Sequence, residues 1–207
     1  MASTTRRSKA ARADRKTEIE DRMRAAITKL VTDGERFTEL SVERLVAEAG
    51  MARSTFYVYF EDKGALLRAI GASTLHSFYE GARPWFENRG EVTYEDVKGA
   101  IKGILEAFQE NEVVMAAVAE TAVYDADVGE MYRESVEDFV ASLRKLIQRG
   151  QKDGTVRDVS AADTAAALSW MIERTTLQLA PGATPKRIDA IATGLADVIW
   201  GTLYAGA

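Results

Sequence analysis

The sequence predicts an all-α protein of about nine helices, and three observations indicate this. Apolar residues recur at helical spacing in nearly every segment of the 207-residue chain. No segment shows the sustained alternation of apolar and polar residues that predicts a strand. Capping patterns and glycine stops separate the apolar stripes from one another.

The composition excludes several classes of protein. With 46% hydrophobic and 29% charged residues, the chain is typical of globular rather than disordered proteins. Cysteine is absent and His76 is the one histidine, so we expect no disulfide, no metal site, no cofactor and no enzyme activity. No apolar run is long enough for a membrane span, and no signal-peptide pattern is present, so we expect a cytoplasmic protein.

Charge is distributed unevenly along the chain. Residues 1–70 hold 14 Lys and Arg against 11 Asp and Glu, whereas residues 71–207 hold 13 against 21. Six basic side chains and one acidic one lie in the first sixteen residues. We therefore predict a basic, flexible arm over residues 1–16 that contacts nucleic acid, with a solvated tail that aids solubility as the alternative.

The first four helices form a recognisable pattern. An apolar stripe from Ile19 ends at Gly34, and a short second helix begins after Ser41 as its N-cap and stops at Gly50. A third short helix is expected at about residues 52–59, and a fourth opens near residue 62. Two short helices joined by a tight glycine-containing turn are typical of a helix-turn-helix.

Capping patterns also mark the later helices. Thr93 and Ser160 each stand three residues before an aspartate, which is close to the spacing of a capping box. Thr184 precedes a proline at the first position of the last helix. A long helix is expected between them, ending near Gly154.

The helix after the turn carries groove-compatible side chains. Phe56 and Phe60 share a face that should be buried, which leaves polar residues on the exposed part. Arginine can bind guanine, hydroxyls can bind either base pair, and tyrosine and lysine suit phosphates. An ordinary helical hairpin with a surface arginine and tyrosine is the alternative. The predicted DNA-binding residues are Ser41, Arg53, Ser54, Thr55 and Tyr57, with Tyr59 and Lys63 on phosphates.

The run from Leu45 to Leu67 resembles the N-terminal signature of the TetR family of bacterial repressors. Its core is Tyr57-Val58-Tyr59-Phe60 followed by Lys63, at a fixed distance from Gly50. The sequence departs from the family pattern at Val46, where alanine is usual, and at Ala52, where an N-capping Ser or Thr is common. The resemblance implies a DNA-binding domain over residues 17–66 and a ligand-binding and dimerisation domain over residues 67–207.

A second stretch, residues 167–175, looks like the eighth helix of the ethionamide-resistance repressor subgroup, whose ligands are elongated and hydrophobic. The resemblance implies an inducer pocket, for which large apolar and a few polar side chains are candidates. These are Tyr94, Phe108, Met115, Thr121, Tyr124, Tyr132, Phe139, Trp170, Glu173 and Thr176. For the dimer interface we predict Leu168, Ile199, Trp200, Leu203 and Tyr204, because the last helix is apolar on more than one face.

The predicted function is that of a homodimeric transcriptional repressor, released from a palindromic operator by a small hydrophobic ligand. The partners are then double-stranded operator DNA, the effector and a second copy of the chain. One alternative is an all-helical enzyme, although no acid–base pair is distinctive enough to favour it. The other is an all-helical ligand-binding or adaptor protein that does not bind DNA.

Overall fold

The computed structural model describes the backbone of residues 2–204 and the side chains of residues 14–204. Over residues 2–204 the chain forms nine α-helices and no strand, which confirms the predicted all-α fold. A short 3-10 turn, Phe37–Glu39, precedes the second helix. The helices are α1 Ala2–Thr32, α2 Val42–Glu48, α3 Arg53–Tyr59, α4 Lys63–Glu87, α5 Tyr94–Glu110, α6 Glu112–Thr121, α7 Ala126–Asp153, α8 Ala161–Leu179 and α9 Pro185–Leu203.

The predicted N-caps form hydrogen bonds that begin four of these helices. The side chains of Ser41, Thr93, Ser160 and Thr184 each accept the backbone N–H three residues further on. Thr93 belongs to a complete capping box, because its own N–H donates to Asp96 over 2.8 Å. The first turn of a helix leaves N–H groups without helical partners. Each of these side chains binds one such group at the N-terminal end of its helix.

The backbone of the predicted flexible arm is helical from Ala2 onward, since α1 begins there rather than near residue 17. The first 33 residues contain neither glycine nor proline, and the arm itself is rich in alanine, arginine and lysine, which favour the helix. The side chains of residues 1–13, which carry much of the arm's charge, lie outside the described residues. Whether they contact DNA stays a prediction.

The chain divides into two compact units that interleave in sequence. The N-terminal unit comprises Met1–Ser73 and Val113–Met131, and the C-terminal unit comprises Thr74–Glu112 and Tyr132–Ala207. This division differs from the expected boundary between residues 66 and 67, because α6 and the start of α7 pack with the first helices. There Thr38 Oγ1 donates to Glu120 over 3.3 Å, and Arg68 pairs with Asp127 at 3.3 Å.

The N-terminal unit buries one continuous set of apolar side chains. Met23, Leu45, Phe56 and Leu66 are all fully buried, so α1, α2, α3 and α4 each contribute to this core. Burying one such side chain stabilises the fold by about 1.5–3 kcal/mol. The helical stripes predicted from the sequence therefore form the core that positions α3.

In the C-terminal unit, α5 packs along α9, and both also contact α8. At one point the backbones of α4 and α5 approach so closely that only glycine fits. A Cβ added to Gly81 would lie 2.8 Å from the carbonyl carbon of Gly103. No helix within residues 2–204 is long and apolar enough to cross a membrane.

We expect Gly81→Ala to destabilise the protein by about 1–3 kcal/mol, because the added methyl group meets backbone rather than a movable side chain. Gly99→Ala on α5 is the matched control, since a Cβ there meets no atom within 4 Å. The control should gain about 0.5–1 kcal/mol of helix propensity. Urea denaturation measures both changes, and equal effects would contradict the close packing.

Candidate functional site

The turn between α2 and α3 is held by an arginine of α1. Gly50 has a φ of +60°, which glycine adopts without the strain of other residues. Nη2 of Arg22 donates to the carbonyls of Ala49 and Gly50, each over 2.7 Å, and Nε donates to Ala49 as well. Arg22 thus binds carbonyl groups that the end of α2 leaves without helical partners. Local sequence does not mark Arg22 for this role, because its acceptors lie 27 and 28 residues further along the chain.

Lys63, at the start of α4, binds the backbone on the other side of α2. Its ammonium donates to the carbonyls of Phe37, Thr38 and Leu40 over 3.0, 2.8 and 3.0 Å. Partial burial lowers the pKa of Lys63, and the nearby Glu120 opposes this shift. An ammonium has three N–H donors, and all three are used here. The structure therefore corrects the predicted phosphate contact, because Lys63 holds the segment that leads into α2.

An ion-pair network on the surface links α1 to α2. Lys29 pairs with Glu48, and Arg44 reaches both Glu48 at 3.4 Å and Glu35 at 3.0 Å. The hydrogen bond from Lys29 lowers the pKa of Glu48. Because exposed pairs contribute little individually, this network refines the orientation of α2 more than it stabilises the fold.

The exposed face of α3 carries the predicted groove-reading residues and one further side chain, that of Val58. Arg53 and Ser54 are exposed, and Tyr57 is 46% exposed. Val58 is 65% exposed, although an aliphatic side chain of this size is usually buried. It follows Ser54 by four residues, and this spacing puts the two on the same face of the helix.

A carboxylate of α2 holds the guanidinium of Arg53. Arg53 forms an ion pair with Glu43, and its Nη2 lies 3.4 Å from the Tyr57 hydroxyl. Its Cζ lies 5.4 Å from the centre of the Tyr57 ring, within the range of a cation–π interaction. The Tyr57 hydroxyl, followed by the Glu43 charge, raises the pKa of Arg53. The three side chains form one cluster across α2 and α3.

The remaining predicted DNA-binding residues lie around this cluster. Ser41 is exposed at the start of α2, where its Oγ accepts the N–H of Arg44 over 3.1 Å. Thr55 and Tyr59 are half-buried, so each presents only part of its side chain to solvent. Ala52, the N-cap of α3, provides no side-chain bond to the helix, as its methyl group predicts.

A second candidate site lies in the C-terminal unit, between α4, α5, α7 and α8. It is a mainly apolar cavity with about 560 Å³ of space free of atoms, part of it open to solvent. Helix-bundle interiors are frequent sites for small ligands. The cavity is lined by Leu75, Phe78, Ile104, Phe108, Tyr132, Ser135, Val136, Phe139, Ser169, Ile172, Glu173, Thr176 and Leu177.

Five polar side chains interrupt this apolar lining, namely Tyr132, Ser135, Ser169, Glu173 and Thr176. The Tyr132 hydroxyl donates to Oε1 of Glu173, and burial together with this bond raises the pKa of Tyr132. Ser169 Oγ and Thr176 Oγ1 are buried and have no hydrogen-bond partner within the described part of the chain. A buried hydroxyl without a partner costs about 1–3 kcal/mol. Both hydroxyls line the cavity, so a ligand there can bind them.

Five of the ten predicted pocket residues line this cavity, and five do not. Tyr94 packs on α9, where its hydroxyl donates to Asp197 over 2.7 Å. Met115 and Thr121 belong to α6 in the N-terminal unit and are buried there. Tyr124 and Trp170 are 64% and 45% exposed. The prediction was wrong for these five residues, because the residue type alone does not reveal which face of a helix turns towards the cavity.

The predicted dimer interface also needs correction. Leu168, Ile199 and Leu203 are buried within the protomer, so they are not available to a second copy. Trp200 is half-buried and contacts the Tyr94 ring. The half-buried Tyr204 accepts a hydrogen bond from Trp85 Nε1 over 2.9 Å. Contacts within the same unit therefore cover this face of α9 only in part, and the role of Trp200 and Tyr204 in a dimer stays a prediction.

Different residues of α8 and α9 remain open. Trp170 on α8 and Val198 on α9 are 45% and 48% exposed. A Cβ added to Gly194 or Gly201 meets no atom within 4 Å. The exposed face of these two helices, which we call the α8–α9 face, thus combines large apolar side chains with small residues.

Two family models match the chain. Residues 37–70 match the family described as bacterial regulatory proteins, tetR family, and include α2 and α3. Residues 97–205, more than half of the chain, match the C-terminal domain of the transcriptional regulator EthR. The chain belongs to the EthR group of TetR-family regulators. Both predicted resemblances, of residues 45–67 and of residues 167–175, are confirmed.

Two mycobacterial proteins are similar to this EthR-like chain over most of their length. The HTH-type transcriptional regulator EthR of Mycolicibacterium smegmatis is 29% identical over 191 residues, covering 87% of this chain and 86% of that protein. EthR of Mycobacterium tuberculosis is 25% identical over 170 residues, covering 81% and 79%. The chain is therefore a DNA-binding transcriptional regulator, and the alternatives of an enzyme and of an adaptor without DNA binding are not supported.

Solved structures support the same fold for this EthR-like regulator. A putative TetR-family regulator from Syntrophomonas wolfei matches with a TM-score of 0.73 and 14% identity, covering 92% of this chain and 99% of that one. The fatty acid degradation regulator FadR from Bacillus halodurans matches with a TM-score of 0.71 and 14% identity, covering 88% and 95%.

We expect Lys63→Met to lower the free energy of unfolding by at least about 2 kcal/mol, because three carbonyls lose a charged donor. Urea denaturation measures this, and Lys16→Met is the control, since Lys16 is exposed and pairs with Glu20 at 3.5 Å. The control should change stability by less than about 0.5 kcal/mol.

Folded Lys63→Met protein also tests the corrected role. If Lys63 binds only the backbone, the salt dependence of DNA binding stays that of the wild type. A fall of about one in its logarithmic slope would instead restore the predicted phosphate contact.

Proposed function

We propose that this regulator is a homodimeric repressor that binds a palindromic operator and leaves it when a small, largely apolar ligand fills the cavity of the C-terminal unit. The observation that carries the proposal is the exposed face of α3. It presents a guanidinium, hydroxyls and an apolar side chain on one short helix that follows a glycine turn. Such a helix fits the major groove of B-DNA.

The proposed contacts follow the chemistry of each side chain. Arg53 binds the acceptor edge of guanine, and Ser54 and Thr55 bind base edges through their hydroxyls. Val58 contacts thymine methyl groups, which pack favourably against an apolar side chain. Ser41, Tyr57 and Tyr59 bind phosphates or support the helix, positioning it without reading sequence. Lys63 supports the approach to α2.

The dimer is proposed to form through the α8–α9 face. Two copies packed on this face bury Trp170 and Val198, while Gly194 and Gly201 allow close approach of the helices. A two-fold axis then relates the two copies of α3, which matches the symmetry of a palindrome.

The ligand acts as a switch only if it binds one conformation of the dimer more tightly than the other. We propose that the filled cavity stabilises a state in which the two α3 helices no longer fit successive major grooves. An operator-binding protein acts on the chromosome, so the proposed activity belongs to the bacterial cytoplasm.

Binding to genomic fragments tests the proposal as a whole. We expect salt-sensitive, sequence-selective binding with an affinity below about 1 µM, including to a fragment upstream of the regulator's own gene. Apolar extracts of the bacterium should release the protein from this DNA. If no genomic fragment binds more tightly than random DNA at moderate salt, the repressor assignment is wrong.

Arg53→Ala should weaken operator binding by about 1–3 kcal/mol and relax the preference at particular base pairs. Glu43→Gln removes the charge that holds Arg53, so binding to random DNA should strengthen while discrimination falls. Glu95→Gln, an exposed acid of α5, is the matched control and should change neither property. Fluorescence anisotropy with single-base operator variants separates the effects, and unchanged discrimination in Glu43→Gln would rule out its role.

Val198→Arg should weaken the dimer by at least about tenfold, because two cations would be buried against each other at the interface. Val123→Arg is the matched control, since Val123 is 85% exposed in the N-terminal unit. Sedimentation velocity over a range of concentrations measures both. A Val198→Arg protein as dimeric as the control would move the interface elsewhere.

A further inference from the structure

We propose that the cavity of the C-terminal unit selects its ligand by the polar end, accepting an apolar molecule that carries an amide or an amine and rejecting one that carries a carboxylate. The inference rests on the proposed function, in which this cavity holds the effector. It adds the chemical class of that effector, which a mainly apolar lining alone does not define.

Three polar side chains of the cavity are arranged along α8, and the other two, Tyr132 and Ser135, lie on α7. Ser169, Glu173 and Thr176 are separated by four and three residues on α8, which is the spacing of one helix face. All three line the cavity. A polar strip therefore runs along the α8 side of a mainly apolar site, and a ligand with one polar end can align with it.

Glu173 gives the strip its charge. It is the one charged side chain among the described residues that line the cavity. Its Oε1 accepts the hydroxyl of Tyr132, and a carboxylate has further lone pairs that can accept a donor from a ligand. The Tyr132 hydroxyl, already donated to Glu173, is not free to bind an acidic ligand. A second carboxylate would thus meet a like charge in an apolar surrounding, which is strongly unfavourable.

The two hydroxyls complete the match. Ser169 and Thr176 are 2% and 4% exposed and lack partners in the described chain. Each hydroxyl can donate one hydrogen bond and accept others. A primary amide provides the complementary set, since its N–H groups can donate to Glu173 and its carbonyl can accept from a hydroxyl. An amine satisfies Glu173 but offers nothing for the hydroxyl hydrogens.

The remainder of the lining recognises only an apolar body. Phe78, Phe108 and Phe139 lie with aliphatic side chains around the cavity. Such a wall binds hydrocarbon with little discrimination between shapes, because the hydrophobic effect is non-directional. Selectivity therefore comes from α8, and we expect affinity to follow the order amide, amine, carboxylate for a constant hydrocarbon tail.

Calorimetric titration of the full-length protein without DNA tests this order. The probes are decanamide, decylamine and sodium decanoate, which share the same tail, at about pH 7.5, where the acid is ionised and the amine protonated. We expect decanamide to bind at least about tenfold more tightly than decanoate. Glu173→Gln should reduce that ratio to less than about threefold, mainly by strengthening the binding of decanoate.

Two further variants separate the charge from the hydroxyls. Ser169→Ala combined with Thr176→Val should weaken decanamide by about fivefold or more and decylamine by less. Glu137→Gln, an exposed acid on α7, is the control and should leave all three affinities unchanged. If circular dichroism shows that Glu173→Gln does not fold, Tyr132→Phe is tested in its place. This variant frees Oε1 of Glu173, so it should strengthen the binding of decylamine and weaken that of decanoate.

Three outcomes would overturn the proposal. In the first, decanoate binds as tightly as decanamide. In the second, Glu173→Gln leaves the ratio of the two affinities unchanged. In the third, none of the probes binds with a dissociation constant below about 1 mM. The titrations contain no DNA, so the selectivity stands or falls independently of repression. A protein that prefers decanamide but keeps its operator when loaded would contradict only the proposed release.

Discussion

The DNA-reading end of the molecule depends on two cations that bind backbone carbonyls on both sides of α2. Lys63 binds three carbonyls before α2, and Arg22 binds two at its end. An unsatisfied carbonyl in a partly buried position costs stability, so these bonds are hard to exchange for bonds to DNA. The orientation of α3 is thereby fixed by α1 and α4 rather than by the short turn alone.

The helices and the reading face could be predicted because both depend on local sequence. Helical spacing and the N-caps at Ser41, Thr93, Ser160 and Thr184 define where helices lie, and the run from residue 45 to residue 67 identifies the family. The role of Lys63 could not be predicted, since its acceptors lie 23 to 26 residues earlier in the chain. For the same reason the close association of α6 with the first helices was not foreseen.

The cavity shows where composition stops being informative. An aromatic residue such as Trp170 or Phe139 is equally compatible with a core, a surface and a pocket, and only its helix face decides between them. Ser169 lay inside the stretch that resembles the eighth helix of the subgroup, yet nothing in the sequence marks its hydroxyl as buried and unpartnered. Once the neighbouring helices are known, polar residues on the apolar face of a helix identify a polar strip such as that of α8.

The approach of Gly81 to Gly103 has a consequence for how the binding site can diversify. Where α4 and α5 are in backbone contact, that wall of the cavity cannot be moved by exchanging side chains at the crossing. Changes in the size or polarity of the effector are then accommodated by α7 and α8, which contribute nine of the thirteen lining residues. Related regulators with this glycine pair should accordingly differ in effector mainly through substitutions on those two helices, while the spacing between α4 and α5 stays fixed.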